Sequence, residues 1–211
     1  MGASTSTTVD FRGNSPFIFV TFSFQTPYMF TRFRTFLLFI VNSLNTLIPP
    51  TRAYRFKALM YNAVPGFDVS RTSRIVSSVR IWGIKRLVVG SDAFVGHETL
   101  ITGGDAVVRI EACVDIAPRV CLVAGSHVLD MCGIRSAGPA ISNDIVIEEG
   151  AWIGTNSTIL GGVRIGKHSV IGAGSMVNRD IPPYSLAVGI PCRVIKRWDL
   201  ATGCWKSQLN G

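Results

Sequence analysis

Between Ile147 and Val177 an aliphatic residue stands at Ile147, Ile153, Ile159, Ile165, Ile171 and Val177, every sixth position without a miss. An α-helix repeats near 3.6 residues and an ordinary strand at 2, so neither accounts for this spacing. A short period held in phase is the pattern of stacked coils, each burying its inward side chains against those of the next. The same spacing runs through Val69, Ile75 and Ile81. It slips by two residues and resumes at Val89, Val95 and Ile101, then passes a three-residue insertion at Gly103-Gly104 to reach Ile110, Ile116 and Leu122. The fourth residue after each aliphatic is usually small or β-branched, as at Ser73, Thr99, Val120, Ala151, Ser157 and Ser175. Three hexads make one triangular coil, and the repeats suffice for about six coils around an aliphatic interior.

The phase breaks once on a large scale, between Leu122 and Ile147. There VAGSHVLDMCGIRSAGPAISNDIV is expected to leave the coil as a protruding loop over residues 123–146. Function concentrates on loops carried by rigid scaffolds. His127 stands near the start of this one, and a neutral imidazole is a general base suited to pH 7. Its orienting partner stays open among Glu98, Asp115, Asp130 and a backbone carbonyl.

Before the repeats lie two other segments. Residues 1–28 begin with a Ser/Thr run, turn aromatic at FIFVTFSF and lack the basic start and cleavage site of a secretory signal. They read as a disordered extension, with Met29 a more conventional start. Residues 29–66 predict a helical hairpin. Phe33, Phe36, Leu37, Ile40, Leu44, Leu47 and Ile48 recur at helical spacing, Pro49-Pro50 ends the first helix, and TRAYRFKALMYNAV forms the second. The apolar run is too short to span a bilayer. Residues 1–90 hold 11 Lys/Arg against 2 Asp/Glu, whereas residues 91–211 hold 10 against 11. The basic helices, over residues 31–63, fit either peripheral contact with a membrane or packing against the main domain or a sister subunit. The β-helix proper is expected over 67–183, followed by a C-terminal segment, 184–211.

With 47% apolar and 16% charged residues, the chain is neither disordered nor a nucleic-acid-coating protein. Its five cysteines form no C-x-x-C pair, which argues against a disulfide framework or zinc knuckle and suits a reducing, cytoplasmic compartment. The three histidines, His97, His127 and His168, are too dispersed for a zinc site, so no metal is expected.

The blocks GSH (125–127), GAWIGTNSTILGGVRIG (150–166) and IGAGSMVNRDIPPYSLAVGIPCRVI (171–195) resemble the hexapeptide-repeat acyltransferases, and among them the galactoside, maltose and nodulation-factor O-acetyltransferases. The resemblance covers about residues 86–198, while the helical start is more like the surface-polysaccharide and lipopolysaccharide O-acetyltransferases. It implies an all-β, left-handed parallel β-helix, a homotrimer with active sites between subunits, and acetyl-CoA as donor. His127 falls on the family's catalytic base. Thr155 and Ala173 fall along the pantetheine arm, with the Thr155 amide as oxyanion donor. Asn178, Arg179, Arg193 and Lys196 fall at the nucleotide end, Asn178-Arg179 replacing the usual Thr-Lys. His97, Glu98 and Trp152 are expected to touch the acceptor.

The implied activity is O-acetylation of a sugar hydroxyl of a surface polysaccharide, lipopolysaccharide or precursor, at the inner face of the cytoplasmic membrane. Alternatives are N-acetylation of an amino sugar and a non-catalytic hexapeptide scaffold. Serine acetyltransferases carry a larger helical domain than the start of this chain offers.

Overall fold

The computed structural model describes residues 28–207, with side chains from residue 32; the expected extension over 1–28 lies almost wholly outside the described residues. Two helices, α1 (Tyr28–Thr46) and α2 (Tyr54–Asn62), precede a parallel β-helix. Three columns of stacked residues define its faces. The first runs Val69, Val89, Ile110, Ile147, Ile165, Ile181. The second runs Ile75, Val95, Ile116, Ile153, Ile171, Ala187. The third runs Ile81, Ile101, Leu122, Ile159, Val177. Every one of these side chains is 3% exposed or less. The period of six is therefore the burial pattern itself, with each inward Ile or Leu contributing roughly 1.5–3 kcal/mol.

The two irregularities of phase have a common place. Strands Arg80–Val89 and Leu100–Ile110 bend round the corner between the third face and the next coil's first face, with a register shift at Ile84/Arg86. Those two faces thus hydrogen-bond as one eight-stranded sheet, and the second face forms another. At the other corners the small fourth residue is buried, and where it is serine its hydroxyl donates to a neighbouring carbonyl. Ser175 donates to Gly172 O at 2.7 Å, Ser157 to Gly172 O at 3.1 Å and Ser169 to Pro182 O at 2.7 Å. The coil continues through Ser185–Val188, past residue 183, before antiparallel strands Arg193–Asp199 and Cys204–Ser207 extend the second face.

The helices cover the open edge of the first coil, and they do so with polar groups. Asn42 donates its amide to Ile81 O at 2.7 Å and accepts from Ile81 N at 3.4 Å. Asn62 donates to Val69 O at 2.9 Å and accepts from Val69 N at 2.7 Å. Each asparagine stands in for the strand that a preceding coil would have supplied, so the edge is not left unpaired. Lys57 is buried and donates to Pro50 O at 2.7 Å, fixing the elbow between the helices. Ser77 Oγ donates to Ile48 O at 2.8 Å and ties that elbow to the coil.

This docking turns α1 over relative to its apolar pattern. Leu38, Val41, Asn42 and Asn45 are buried, while Phe33, Phe36, Leu44 and Leu47 of the predicted stripe point outward, as does Phe39.

Candidate active site

The long break in phase is an antiparallel hairpin rather than an irregular loop. Gly125–Leu129 pairs with Ala137–Ser142, His127 facing Ala140. It leaves the third coil at the same corner where the two earlier coils bend their strands. Room there is made by residues without side chains. A Cβ on Gly103 would fall 2.4 Å from that of Ala124, and one on Gly104 2.5 Å from Ser142 Oγ. The Gly103-Gly104 insertion is therefore the seat of the hairpin.

His127 is exposed, and its Nδ1 lies 2.8 Å from Gly138 O. A carbonyl only accepts, so Nδ1 carries the proton and Nε2 keeps its lone pair. None of the three candidate carboxylates orients this ring. Asp130 closes the hairpin turn by accepting from the Gly133 and Cys132 amides at 2.8 and 3.1 Å. Glu98 pairs with Arg119 at 2.8 Å, and Asp115 faces Arg74 at 3.8 Å. Beside His127 a cavity of about 260 Å³ opens between the hairpin and the coil, lined by Gly103, Gly104, Ser126, Ile141 and Ser142 among others. That is below the range of roughly 300–1,000 Å³ usual for a small-molecule site, so the hairpin presents part of one.

The corner between the second and third faces is of another kind. By register, Ser77, His97, Pro118, Thr155, Ala173 and Gly189 stack there, one per coil, each two residues past a member of the second column. In the middle coils the carbonyls of His97, Pro118 and Thr155 accept from the amide of the left-handed residue one coil on. Arg119 N reaches His97 O at 2.7 Å, Asn156 N reaches Pro118 O at 3.2 Å, and Gly174 N reaches Thr155 O at 2.8 Å. This ladder leaves the amides of Thr155 and Ala173 without a protein acceptor among the described residues. The wall behind them is tight, since a Cβ on Gly154 would lie 2.6 Å from Ala173 N. A narrow groove with open N–H groups suits a long thin acyl carrier whose carbonyl gains negative charge.

His97 and Glu98 lie two coils down this same edge. Sequence reading missed Ser78, which organises them: its hydroxyl lies 3.2 Å from His97 Nδ1 and accepts from Glu98 N at 3.1 Å. Only the register, not residue type, identifies it. On the second face Trp152 points outward, 55% exposed, in one row with Val170, Leu186 and Lys196. Arg193 pairs with Val188 near Gly189, at the groove's far end. His168 sits on an outward corner against Tyr184, ring centroids 5.5 Å apart.

Asn178 and Arg179 are placed elsewhere. They follow Val177 on the third face and therefore lie at the hairpin's corner, not at Thr155's. The predicted residues thus fall on two edges, separated by the width of the third face, roughly 15–20 Å for a strand and its corners. His127, Asn178 and Arg179 occupy one edge. His97, Glu98, Thr155, Ala173 and Arg193 occupy the other. A single copy does not bring His127 to the Thr155 amide. No group of three His, Cys, Asp or Glu side chains able to hold a metal occurs among the described residues.

Residues 144–179 match the family model described as bacterial transferase hexapeptide (six repeats). The galactoside O-acetyltransferase of Escherichia coli is 43% identical over 103 residues, 49% of this chain and 50% of that one. The chain spans about half the length of the curated relatives it matches. Among solved structures, a hexapeptide-repeat acetyltransferase of Vibrio cholerae superposes with TM-score 0.65 at 27% identity, covering 79% of this chain and 93% of that one. The same Vibrio protein has been solved with acetyl coenzyme A. A polySia-specific acetyltransferase is 31% identical with TM-score 0.54, over 62% of this chain and 61% of that one.

Proposed function

As a member of the hexapeptide-repeat acetyltransferase family, this chain, we propose, moves an acetyl group from acetyl-CoA to a hydroxyl of a sugar carried by a surface polysaccharide, a lipopolysaccharide or its precursor. The observation that carries the reading is the His127–Gly138 hydrogen bond, which leaves Nε2 as an acceptor at the mouth of the hairpin cavity.

The residues present fit the donor. The Thr155 and Ala173 amides and the narrow wall at Gly154 suit a pantetheine arm, while exposed Arg179, Arg193 and Lys196 suit its phosphates. When bound, the thioester supplies the activated acetyl group. His127 Nε2 takes the proton of the acceptor hydroxyl as its oxygen attacks, and returns that proton to the departing thiolate. The Thr155 N–H stabilises the charge that builds on the carbonyl oxygen. His97, Glu98 and Trp152 bound the acceptor. Because the two edges lie on opposite sides of the third face, the working site pairs the hairpin edge of one copy with the groove edge of the next, as in a three-fold assembly. The reducing cytoplasm suits the free cysteines, of which Cys113, Cys132 and Cys204 are exposed.

Calorimetric titration with acetyl-CoA, followed by thiol release in the presence of a sugar panel, tests this. Wild-type chain is expected to bind in the micromolar range. Folded protein that binds no acetyl-CoA would leave a hexapeptide scaffold without catalysis.

A further inference from the structure

The outward face of α1 is more apolar than the face it packs inward. Phe33, Phe36, Phe39 and Leu44 are all exposed, as is Leu47 just past the helix, to 80%, and on α2 Phe56 and Leu59 are each more than half exposed. Large exposed apolar patches on a folded domain mark contact surfaces. The helix cannot rotate to hide them, because the Asn42 amide is committed to both backbone groups of Ile81 and Arg34 donates to Lys85 O at 2.8 Å.

The charge around this patch identifies what covers it. From Tyr28 to Gly90 the chain holds ten Lys/Arg and a single carboxylate, Asp68. Arg52, Arg55, Arg71, Lys85 and Arg86 are exposed on the helices and the first coil. A second copy placed on the patch by a two-fold axis would bring these cations against their own equivalents. An anionic lipid surface offers the opposite charge and an apolar layer for the phenylalanines. No described helix is long and apolar enough to cross a membrane, so α1 would lie in the interface. We propose that the outward face of α1, with α2 and the cationic end of the first coil, docks the protein on an anionic bilayer. This docking is independent of acetyl transfer.

Full-length protein is to be sedimented with vesicles of phosphatidylcholine alone and of phosphatidylcholine mixed equally with phosphatidylglycerol, its oligomeric state being measured alongside. Wild type is expected to bind the anionic vesicles at least tenfold more tightly, and less so at high salt. Phe36→Ser/Leu44→Ser/Leu47→Ser alters only exposed positions and is expected to weaken that binding at least tenfold with the oligomer unchanged. Arg52→Glu/Arg55→Glu is expected to remove the preference for anionic lipid. A triple variant that changes oligomeric state while vesicle binding stays put would assign the face to another copy and overturn the proposal. Absence of wild-type binding, with a loss of thermal stability in the triple variant, would assign it to residues of the same chain and equally overturn it.

Discussion

Two edges of one coil do opposite things with the same repeat. At the corner of Thr155 and Ala173 the hexapeptide is regular. The regularity itself makes a groove, because the carbonyls of His97, Pro118 and Thr155 accept from successive coils while the amides of Thr155 and Ala173 are left open. At the corner of His127 the repeat is broken, and the extra residues form a hairpin that holds one imidazole by a backbone carbonyl. A solenoid offers rows of identical groups, which suit a long ligand. A unique catalytic group needs a departure from the repeat.

The largest effect expected from this division is at the broken edge. His127→Ala should lower turnover about 10²- to 10⁴-fold while acetyl-CoA affinity stays within about twofold, read by thiol release and calorimetry. An equal loss in both would merge the two edges into one function. At the regular edge the split should reverse. Arg193→Ala/Lys196→Ala should raise the acetyl-CoA dissociation constant about tenfold or more and leave turnover at saturation nearly intact.

Structural substitutions are expected to act more weakly. Gly154→Ala pushes a methyl group against Ala173 N and Ile171 O, at 2.6 and 2.7 Å. It should cost roughly 1–3 kcal/mol in denaturant unfolding and weaken acetyl-CoA binding with it. Gly174→Ala meets no atom within 4 Å and strains only its φ of +70°, so it should cost about 1 kcal/mol.

The smallest effect lies outside both edges. Burial raises the Tyr61 hydroxyl to about 12 from an ordinary 10.0, offset only in part by Asn45 and Arg80. Among the described residues no hydrogen bond of good geometry reaches it. The unfolded chain ionises this group first, so its contribution is intact below pH 10 and is lost as pH rises toward 12, at up to about 1.4 kcal/mol per pH unit. Tyr61→Phe should remove that alkaline loss in pH-dependent unfolding and change stability at pH 7 by less than about 1 kcal/mol.

The coil was legible because period and burial are the same fact: every aliphatic from Val69 to Val177 that kept phase is buried on one of three faces. His127 was legible because the break in phase drew attention to it. The separation of Asn178 and Arg179 from Thr155 and Ala173 was implicit in the unbroken hexads from Ile147 to Val177, since the first pair follows a third-face and not a second-face aliphatic. The place of His97 and Glu98, in contrast, was hidden by the slip after Ile101 and the break after Leu122. Ser78 carried no signal apart from that register. The helices misled for a different reason. Hydrophobic periodicity finds a stripe but not what faces it, and here the first coil's unpaired edge at Ile81 and Val69 needed amides more than it needed phenylalanine.

We propose that the hairpin edge of one copy and the groove edge of another make one site. This pairing is tested by mixing His127→Ala chains with Arg193→Ala/Lys196→Ala chains and assaying at subsaturating acetyl-CoA. Reassembled mixtures should exceed the mean activity of the two parents, because some interfaces then join an intact hairpin to an intact groove. Activity no higher than that mean, in oligomers shown to be mixed, would place the whole site within a single chain and contradict the account.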